Sequence, residues 1–251
     1  MTSRIIVASL LALAAACMPA AAQDHHWGYQ GESDPAHWGE LSEEYKDCGI
    51  GQEQSPIDIV PTKAIEAEFS PAEVHWTAFA PTIVDNGHTI QVNTNGKGGY
   101  TELNGVRYDL VQFHFHHQSE HTVDGVHSPL EVHFVHKSEA GDLLVLGVLM
   151  APGAASAALQ AVEAAWPAAG AEVASADLLD PSSMLPEDRA SFRYEGSLTT
   201  PPCSQIVTWN VFTHPVEIST DQVDLFASHY ENNARPVQPL NRRFLLVDSD
   251  E

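Results

Sequence analysis

The chain of 251 residues carries 34 acidic and only 11 basic side chains, which gives a formal net charge of −23 at pH 7. Binding to phosphate-rich partners needs clustered Lys and Arg, so this charge argues against nucleic acid or an anionic membrane surface as a partner. Apolar residues make up 43% of the chain and are sufficient for one sizeable core, and the length lies within the range of single β-sandwiches and barrels.

The N-terminal residues have the pattern of an export signal. Arg4 precedes an apolar run over residues 5–17, and small residues follow that suit cleavage after Ala22. We therefore predict a signal peptide over 1–22 and a single mature domain over 23–251, located in the periplasm or secreted. The apolar run is too short to span a membrane, so no transmembrane segment is expected.

Two cysteines remain in the predicted mature chain, Cys48 and Cys203. The alternatives are a disulfide and two buried free thiols, and export favours the disulfide. In the chain-entropy model, a bridge closing a loop of this length stabilises the fold by about 5 kcal/mol, although measured values are often smaller.

Short apolar or alternating runs, separated by Gly, Pro and Asn, predict a mostly antiparallel β protein. In chain order these runs are 89–94, 108–116, 130–137, 143–150 and 205–212. The Ala-rich segment 156–170 has helical spacing and predicts one surface helix stopped by Pro167. Residues 180–197 are expected to be irregular and to lie over the sheet.

Seven of the fourteen histidines lie within residues 111–136, and strand parity sorts them. Alternate residues of a strand share a face. In QFHFHH, this places Gln112, His114 and His116 together, and in EVHFVH it places Glu131 with His133. The apolar residues between them would face a core. Across paired strands, the three histidines named here are therefore predicted to converge.

Three neutral imidazoles around one position are the ligand set of a catalytic zinc, with a fourth position left for water. Gln112 and Glu131 support this prediction, because metal-bound histidines usually donate their second N–H to an amide or carboxylate. A His-rich face without an ordered metal explains any single histidine equally well, but not this combination. The expected cofactor is one Zn²⁺ per chain. His121, beside Glu120, is expected to be a buried structural group.

Nine segments together resemble the α-class carbonic anhydrases of the exported bacterial type. They are HWGY (26–29), QSPIDI (54–59), NGH (86–88), QFHFH (112–116), SEHTVDG (119–125), EVHFVH (131–136), SLTTPPC (197–203), VTWNVF (207–212) and NARPVQPLNRR (233–243). The resemblance covers roughly residues 26–244, and it is specific because order and spacing agree throughout. It implies a mostly β (α+β) single domain: a large central, mainly antiparallel twisted sheet with a few short surface helices.

The resemblance also assigns roles to individual positions. The zinc ligands of the family match His114, His116 and His133. The residues that hydrogen-bond to those ligands in the family match Gln112 and Glu131. The reacting groups match Thr199, whose hydroxyl accepts from zinc-bound hydroxide and donates to Glu120, and the proton shuttle His88. The carbon dioxide pocket matches Val135, Val145, Leu198, Val207, Trp209 and Thr200. The cleft water network matches Tyr29, Asn86 and Gln91, and the disulfide of exported members matches Cys48 and Cys203.

The implied function is the zinc-dependent reversible hydration of carbon dioxide to bicarbonate and a proton, by attack of zinc-bound hydroxide with a histidine proton shuttle. Weak esterase activity would follow from the same chemistry, and the sequence leaves room for a homodimer. The alternative is an exported protein that binds or stores zinc without catalysis, which would need neither Thr199 nor Glu120. A metalloprotease of the His-Glu-x-x-His type is excluded because that motif is absent from the sequence.

Overall fold

The computed structural model describes residues 26–248. The predicted signal peptide, residues 1–22, lies outside the described residues. The strands are β1 (Asp58–Ile59), β2 (Ile65–Ala67), β3 (Glu73–Trp76), β4 (Thr82–Asp85), β5 (Ile90–Asn93), β6 (Gly99–Leu103), β7 (Val106–His116), β8 (Thr122–Val123), β9 (Val126–His127), β10 (Leu130–Ser138), β11 (Leu143–Pro152), β12 (Glu172–Ala174), β13 (Ser191–Gly196), β14 (Val207–Phe212), β15 (Val216–Ile218) and β16 (Leu246–Asp248). The helices are α1 (Trp38–Leu41), α2 (Asp47–Ile50), α3 (Ala157–Ala164) and α4 (Thr220–His229), and 3₁₀ turns lie at Gly31–Ser33, Glu43–Tyr45, Pro61–Lys63 and Pro181–Met184.

One large sheet contains most of these strands, in the order β12-β4-β5-β7-β10-β11-β14-β13-β16-β2, with β3, β6 and β15 attached at its sides. Most pairings are antiparallel, which confirms the predicted fold class. The pairings β11–β14, β11–β15 and β16–β2 are parallel, so the sheet is mixed. A parallel pair needs a long crossover, and residues 153–206 provide it between β11 and β14.

The prediction that residues 180–197 are irregular was wrong for part of that segment. Pro181–Met184 forms a 3₁₀ turn, but Ser191–Gly196 is strand β13, paired with β14 and β16. The strand is hard to recognise in the sequence because Arg193, a charged residue, interrupts its run of buried residues. Its Nε donates to Asn210 Oδ1 at 3.1 Å, so a partner on β14 makes this burial tolerable.

The apolar faces of the central strands lie in a core as strand parity predicts. Phe113, Phe115 and Phe134 are fully buried in the larger hydrophobic cluster. Helix α3 packs Leu159 into the same cluster, and its N-cap Ser156 accepts a hydrogen bond from the Leu159 N–H. The helix predicted within 156–170 is therefore present, although shorter than that segment.

A disulfide joins Cys48 in α2 to Cys203 in the turn after β13, with the Cα atoms 5.1 Å apart. Both cysteines pack with Trp38 in a small cluster of their own. The predicted pairing is therefore present in the structure. Within residues 26–248, no helix has the length and apolar character needed to cross a membrane.

Candidate active site

The three predicted ligand histidines meet because of the register between β7 and β10. The two strands are antiparallel, with His133 opposite His114 and Glu131 opposite His116. All three histidines project from one face of the sheet. Each offers one ring nitrogen, and these three nitrogen atoms lie within 4.8 Å of one another. His116 and His133 are buried, whereas His114 is partly buried. The arrangement is a compact three-nitrogen site in the middle of the sheet.

Hydrogen bonds orient the two histidines of β7. The Nδ1 atom of His114 lies 2.9 Å from Gln112 Oε1, the partner predicted from the sequence. The Nδ1 atom of His116 lies 2.9 Å from the backbone carbonyl of Asn233. When each Nδ1 donates to these oxygens, each Nε2 keeps the lone pair that metal binding requires.

His133 is oriented by a carboxylate instead. Its Nε2 lies 2.8 Å from Glu131 Oε1, and the same oxygen lies 2.7 Å from Nδ1 of His121. His121 is fully buried and its Nε2 lies 2.7 Å from the Tyr194 hydroxyl, so it is a structural group, as expected. His121, Glu131 and His133 could also hold a metal as a set, but Glu131 Oε1 already contacts a ring nitrogen of both histidines.

Burial and charge set the protonation of these groups. Burial lowers the pKa of His114 well below its ordinary value and also lowers the pKa of His116. Burial acts in the same direction on His133, but the charge of Glu131, the contact of its carboxylate with this ring and the charge of Glu120 together outweigh burial and raise that pKa. Burial likewise opposes ionisation of Glu131, yet His121 and His133 hold the pKa of this carboxyl well below its usual range. Two of the three histidines are therefore neutral imidazoles and the third contacts a carboxylate.

Three buried polar atoms at the site make no hydrogen bond among the described residues, and His133 Nε2, which contacts the Glu131 carboxylate, is one of them. Among residues 26–248, neither Nε2 of His116 nor Oε2 of Glu120 makes a hydrogen bond, and the two atoms lie 3.5 Å apart. An unsatisfied buried polar atom costs about 1–3 kcal/mol. A metal ion on His116, His114 and His133 would remove the cost at the imidazole. The donor set therefore fits a metal with a preference for nitrogen ligands.

A cavity of about 150 Å³ opens above the three histidines. Its lining contains most of the predicted site residues: Tyr29, Asn86, His88, Gln91, Gln112, Val135, Val145, Leu198, Thr199, Thr200 and Trp209. Two further lining residues, Trp27 and Thr89, were not predicted. Val207 does not line this cavity but packs with Val145 and Trp209 in the second hydrophobic cluster.

Glu120 is fully buried below the cavity. Its Oε1 accepts a hydrogen bond from the backbone N–H of Arg235 at 2.8 Å, and its own N–H donates to Glu131 Oε2. The predicted hydrogen bond from the Thr199 hydroxyl is not found among the described residues, where Glu120 Oε2 has no hydrogen-bond partner. The carboxylate thus keeps one acceptor oxygen available.

His88 stands at the rim of the cavity, on a turn built by Asn86. The Asn86 side-chain oxygen accepts hydrogen bonds from the backbone N–H groups of His88 and Thr89. Gly87, which lies between Asn86 and His88, has a positive φ of 81°. The imidazole stacks on Trp27, with ring centroids 3.7 Å apart and planes at 11°. Burial lowers the pKa of His88, and the neighbouring His26 adds to this effect.

Two other polar residues of the cavity have defined surroundings. The side chain of Gln91 donates to Asn93 Oδ1 at 2.7 Å. Burial, together with the charge of Glu120, raises the pKa of the Tyr29 phenol well above its usual value. Tyr29 therefore remains protonated and can donate a hydrogen bond into the cavity at any ordinary pH.

Sequence reasoning did not identify Asn233, although it lies in a segment that carries the resemblance. Its carbonyl accepts from His116, while its side chain contacts the backbone of His88, Phe115 and His117. A backbone carbonyl can come from any residue type, so no pattern marks it in advance. Trp27 was not predicted to line the cavity for a similar reason, because the segment around it has no periodic pattern.

Together, the mixed sheet and its three-histidine cleft define a class of protein: a β-sheet protein whose cleft presents three histidine nitrogens that could hold a metal ion and leave a further coordination position open. Comparison with known proteins is more specific. Residues 33–248 match the profile of the family described as eukaryotic-type carbonic anhydrase. This chain belongs to that family, the α-carbonic anhydrases.

Individual relatives agree over nearly the whole chain. A carbonic anhydrase of Nostoc sp. is 42% identical over 233 residues, 91% of this chain and 88% of the relative. One from Pectobacterium atrosepticum is 41% identical over 245 residues, 95% and 98% of the two chains. The solved α-carbonic anhydrase of Thermovibrio ammonificans, in complex with the inhibitor sulfanilamide, superposes with a TM-score of 0.86 at 47% identity, covering 88% of this chain and 98% of its own.

These matches confirm the predicted family and the prediction that the chain is an enzyme of the carbonic anhydrase class. Membership supports the hydration of carbon dioxide as the general reaction. The family is zinc-dependent, and the three-histidine group is the part of the structure that could hold such an ion.

Proposed function

We propose that this protein is a zinc enzyme that interconverts carbon dioxide with bicarbonate and a proton. The observation that carries the proposal is the three-nitrogen site of His114, His116 and His133, with ligand atoms within 4.8 Å of one another at the base of a cavity. These histidines would hold the zinc, which would supply a Lewis acid able to lower the pKa of water, an effect for which carbonic anhydrase is itself the reference case.

The apolar wall of the cavity selects the substrate. Val135, Val145, Leu198 and Trp209 line one region beside the histidines. Carbon dioxide is small, linear and without a strong hydrogen-bonding group, so it can bind to a dry apolar surface. Water binds poorly at such a surface, because a water molecule there would lose hydrogen bonds. These four side chains therefore exclude water and hold the substrate next to the site of attack.

Thr199 and Glu120 select and orient the attacking group. An ionised carboxylate can only accept hydrogen bonds, so Oε2 of Glu120, which has no hydrogen-bond partner among the described residues, would accept a hydrogen bond from the Thr199 hydroxyl. Thr199 Oγ1 then acts only as an acceptor towards a group in the cavity. A group that carries a proton is held in a defined direction, and one without a proton is disfavoured.

His88 removes the proton that the reaction produces. Free imidazole titrates near pH 6.5, and burial lowers the pKa of His88 below that value, so its neutral ring can accept a proton inside the cavity and release it readily to buffer outside. Its half-buried position at the rim, stacked on Trp27, places the ring between the cavity and solvent. Tyr29, Asn86, Gln91 and Thr200 line the cavity around it and would hold the water through which the proton moves.

Stopped-flow carbon dioxide hydration, combined with zinc analysis, tests this function. The wild type should hold one zinc and hydrate carbon dioxide rapidly, and His133→Ala should lose both properties. His75→Ala, which alters an exposed histidine on β3, is the control and should retain both. A wild type that holds zinc without hydrating carbon dioxide would instead be the zinc-storing protein. Slow hydrolysis of 4-nitrophenyl acetate, lost with the metal, would show the esterase activity.

We also propose that the mature chain starts at Gln23 and is exported to the periplasm or the medium. The N-terminal sequence pattern and the Cys48–Cys203 disulfide, which is typical of oxidising compartments, support this location. Cell fractionation followed by N-terminal sequencing tests it. Recovery of the uncleaved chain from the cytoplasm would contradict the proposal.

A further inference from the structure

A second cavity, with a volume of about 490 Å³, lies outside the catalytic cleft and shares no lining residue with it. It is bounded by the middle of β13, by the segment after α2 and by residues 241–246, which lead into β16. Its volume is within the range typical of sites for small molecules, about 300–1,000 Å³. Tyr194, Phe244 and Leu246 give it an apolar wall.

The lining of this cavity is rich in cations, in contrast to the molecule as a whole. Arg193, Arg242 and Arg243 line it, three of the 11 basic residues of the chain, against two carboxylates, those of Glu53 and Glu195. The chain as a whole has 34 acidic residues. Asp248 also acts on Arg193, so the charges here are close to balanced, and this place repels anions less than the surrounding acidic surface does.

Arg243 is a fixed cation of the wall. Its guanidinium is held by four backbone carbonyls, those of Gln54, Glu195, Pro239 and Leu240, at distances of 2.8–3.0 Å. Carbonyl oxygens fix the orientation of the group without neutralising its charge. The carboxylate of Glu195 accepts from the Thr208 hydroxyl at 3.1 Å, so it has a partner of its own.

Arg242 is the cation available to a ligand. It is exposed at the cavity, and among residues 26–248 it makes no hydrogen bond or ion pair. Phe244, two residues further, leaves 69% of its surface exposed at the same cavity, and Leu246 lies beside it. A free guanidinium next to an exposed aromatic ring matches a ligand with one anionic end and one apolar end.

We propose that this cavity is a binding site for small organic carboxylates, with the carboxylate on Arg242 and the apolar body against Phe244 and Leu246. An arginine fork accepts a carboxylate through two parallel hydrogen bonds. An inorganic anion would leave the apolar wall uncovered, and a neutral aromatic molecule would leave Arg242 unpaired. The site is separate from the metal centre and does not depend on the proposed catalytic function.

Titration calorimetry with benzoate on the zinc-loaded mature protein, at about 0.15 M salt so that screening is constant, tests the proposal. Arg242→Gln should weaken binding about tenfold, the loss expected for a charge-assisted bidentate contact. Glu53→Gln should strengthen binding several-fold by removing a repelling charge. Arg107→Gln is the control, because that exposed arginine pairs with Asp109 and lines a different cavity. Carbon dioxide hydration should be unchanged in Arg242→Gln.

Two further measurements separate this site from others. Phe244→Ser should weaken benzoate but not acetate, because only benzoate uses the apolar wall. Amide chemical-shift changes caused by benzoate should include residues 193–195 and 241–246, even if the metal centre also binds the probe. The proposal is overturned if Arg242→Gln binds benzoate as the wild type does, or if neutral benzamide binds equally well. It is also overturned if sedimentation shows a dimer and benzoate binds only to the monomer, since the second copy would then occupy the cavity.

Discussion

The carboxylate of Glu131 is fully buried and contacts four groups with its two oxygens. Oε2 accepts the backbone N–H groups of Glu120 and His121, while Oε1 contacts the rings of His121 and His133. One residue therefore orients a ligand histidine and also holds the segment that carries Glu120. A buried charge with this many partners is tolerated because all of its contacts are with donors or cations.

Replacing Glu131 by Gln should weaken zinc binding by about 10- to 100-fold, the usual effect of losing an outer partner of a ligand histidine. The amide lacks the negative charge that helps to raise the pKa of His133. A neutral amide oxygen is also a weaker acceptor than a carboxylate oxygen for hydrogen bonds from the two rings. Competition with a chromophoric chelator measures the affinity. Glu139→Gln, at an exposed turn residue, should bind zinc as the wild type does. Unchanged affinity in Glu131→Gln would contradict this role.

His136 should make the fold sensitive to acid. It is fully buried, its Nε2 accepts from the Trp76 indole and its Nδ1 lies 3.2 Å from the Leu144 carbonyl; burial lowers its pKa from 6.5 to about 4. The unfolded chain binds this proton more readily, so stability is complete above pH 6.5 and is lost as the pH falls towards 4. The loss should reach about 3 kcal/mol.

Urea denaturation of the wild type and of His136→Gln between pH 7 and pH 4 measures this contribution. The variant is expected to be less stable at pH 7 but to lose less free energy of unfolding over that pH range. Parallel losses in the two proteins would show that other groups cause the acid sensitivity.

At the scale of elements, the pairing of β7, β10 and β11 builds the site. Gly147 on β11 lies opposite His133, and a Cβ atom there would approach Glu131 Oε1 to 3.1 Å. The absence of a side chain thus leaves room for the carboxylate behind the ligand. Register matters equally, because a slip of one residue would turn His114, His116 and their partner to the opposite face.

The disulfide joins two elements that border the site. Cys203 follows the turn that carries Thr199, and its N–H donates to the Thr200 carbonyl; Arg235 donates to the Cys48 carbonyl. Replacing both cysteines by Ser should lower the free energy of unfolding by about 2–5 kcal/mol, since the bridge spans 155 residues of sequence. Urea denaturation measures the loss. Reductant should destabilise the wild type to the same level and leave the variant unchanged, and a variant as stable as the oxidised wild type would contradict the estimate.

At the scale of the whole molecule, the net charge of −23 is the dominant electrostatic feature. Repulsion among surface carboxylates opposes the compact state, and salt screens it. The thermal midpoint should therefore rise between about 10 mM and about 0.5 M NaCl, a range over which the Debye length falls from about 30 Å to a few ångströms. KCl should have the same effect. A flat response, or one specific to a single cation, would contradict general screening.

Much of the site could be predicted from the sequence because it depends on local periodicity. Strand alternation placed His114, His116 and His133 on one face without knowledge of the fold, and the resemblance supplied His88 and most of the cavity wall. Strand β13 could not be predicted, because Arg193 interrupts its apolar pattern and only Asn210 on a neighbouring strand justifies that burial. Val207 was assigned to the cavity by analogy, whereas its side chain packs in the core.

The sequence by itself determined the β-sheet class, the family, and the group formed by the three proposed ligand histidines with Gln112 and Glu131, because each depends on residue type and on spacing along the chain. Only the tertiary structure decided that the Asn233 carbonyl orients His116, that Trp27 stacks on His88, and that three arginines surround a second cavity. These contacts join residues distant in sequence, and backbone carbonyls and ring stacking leave no periodic signal. The folding of the sheet brings them together.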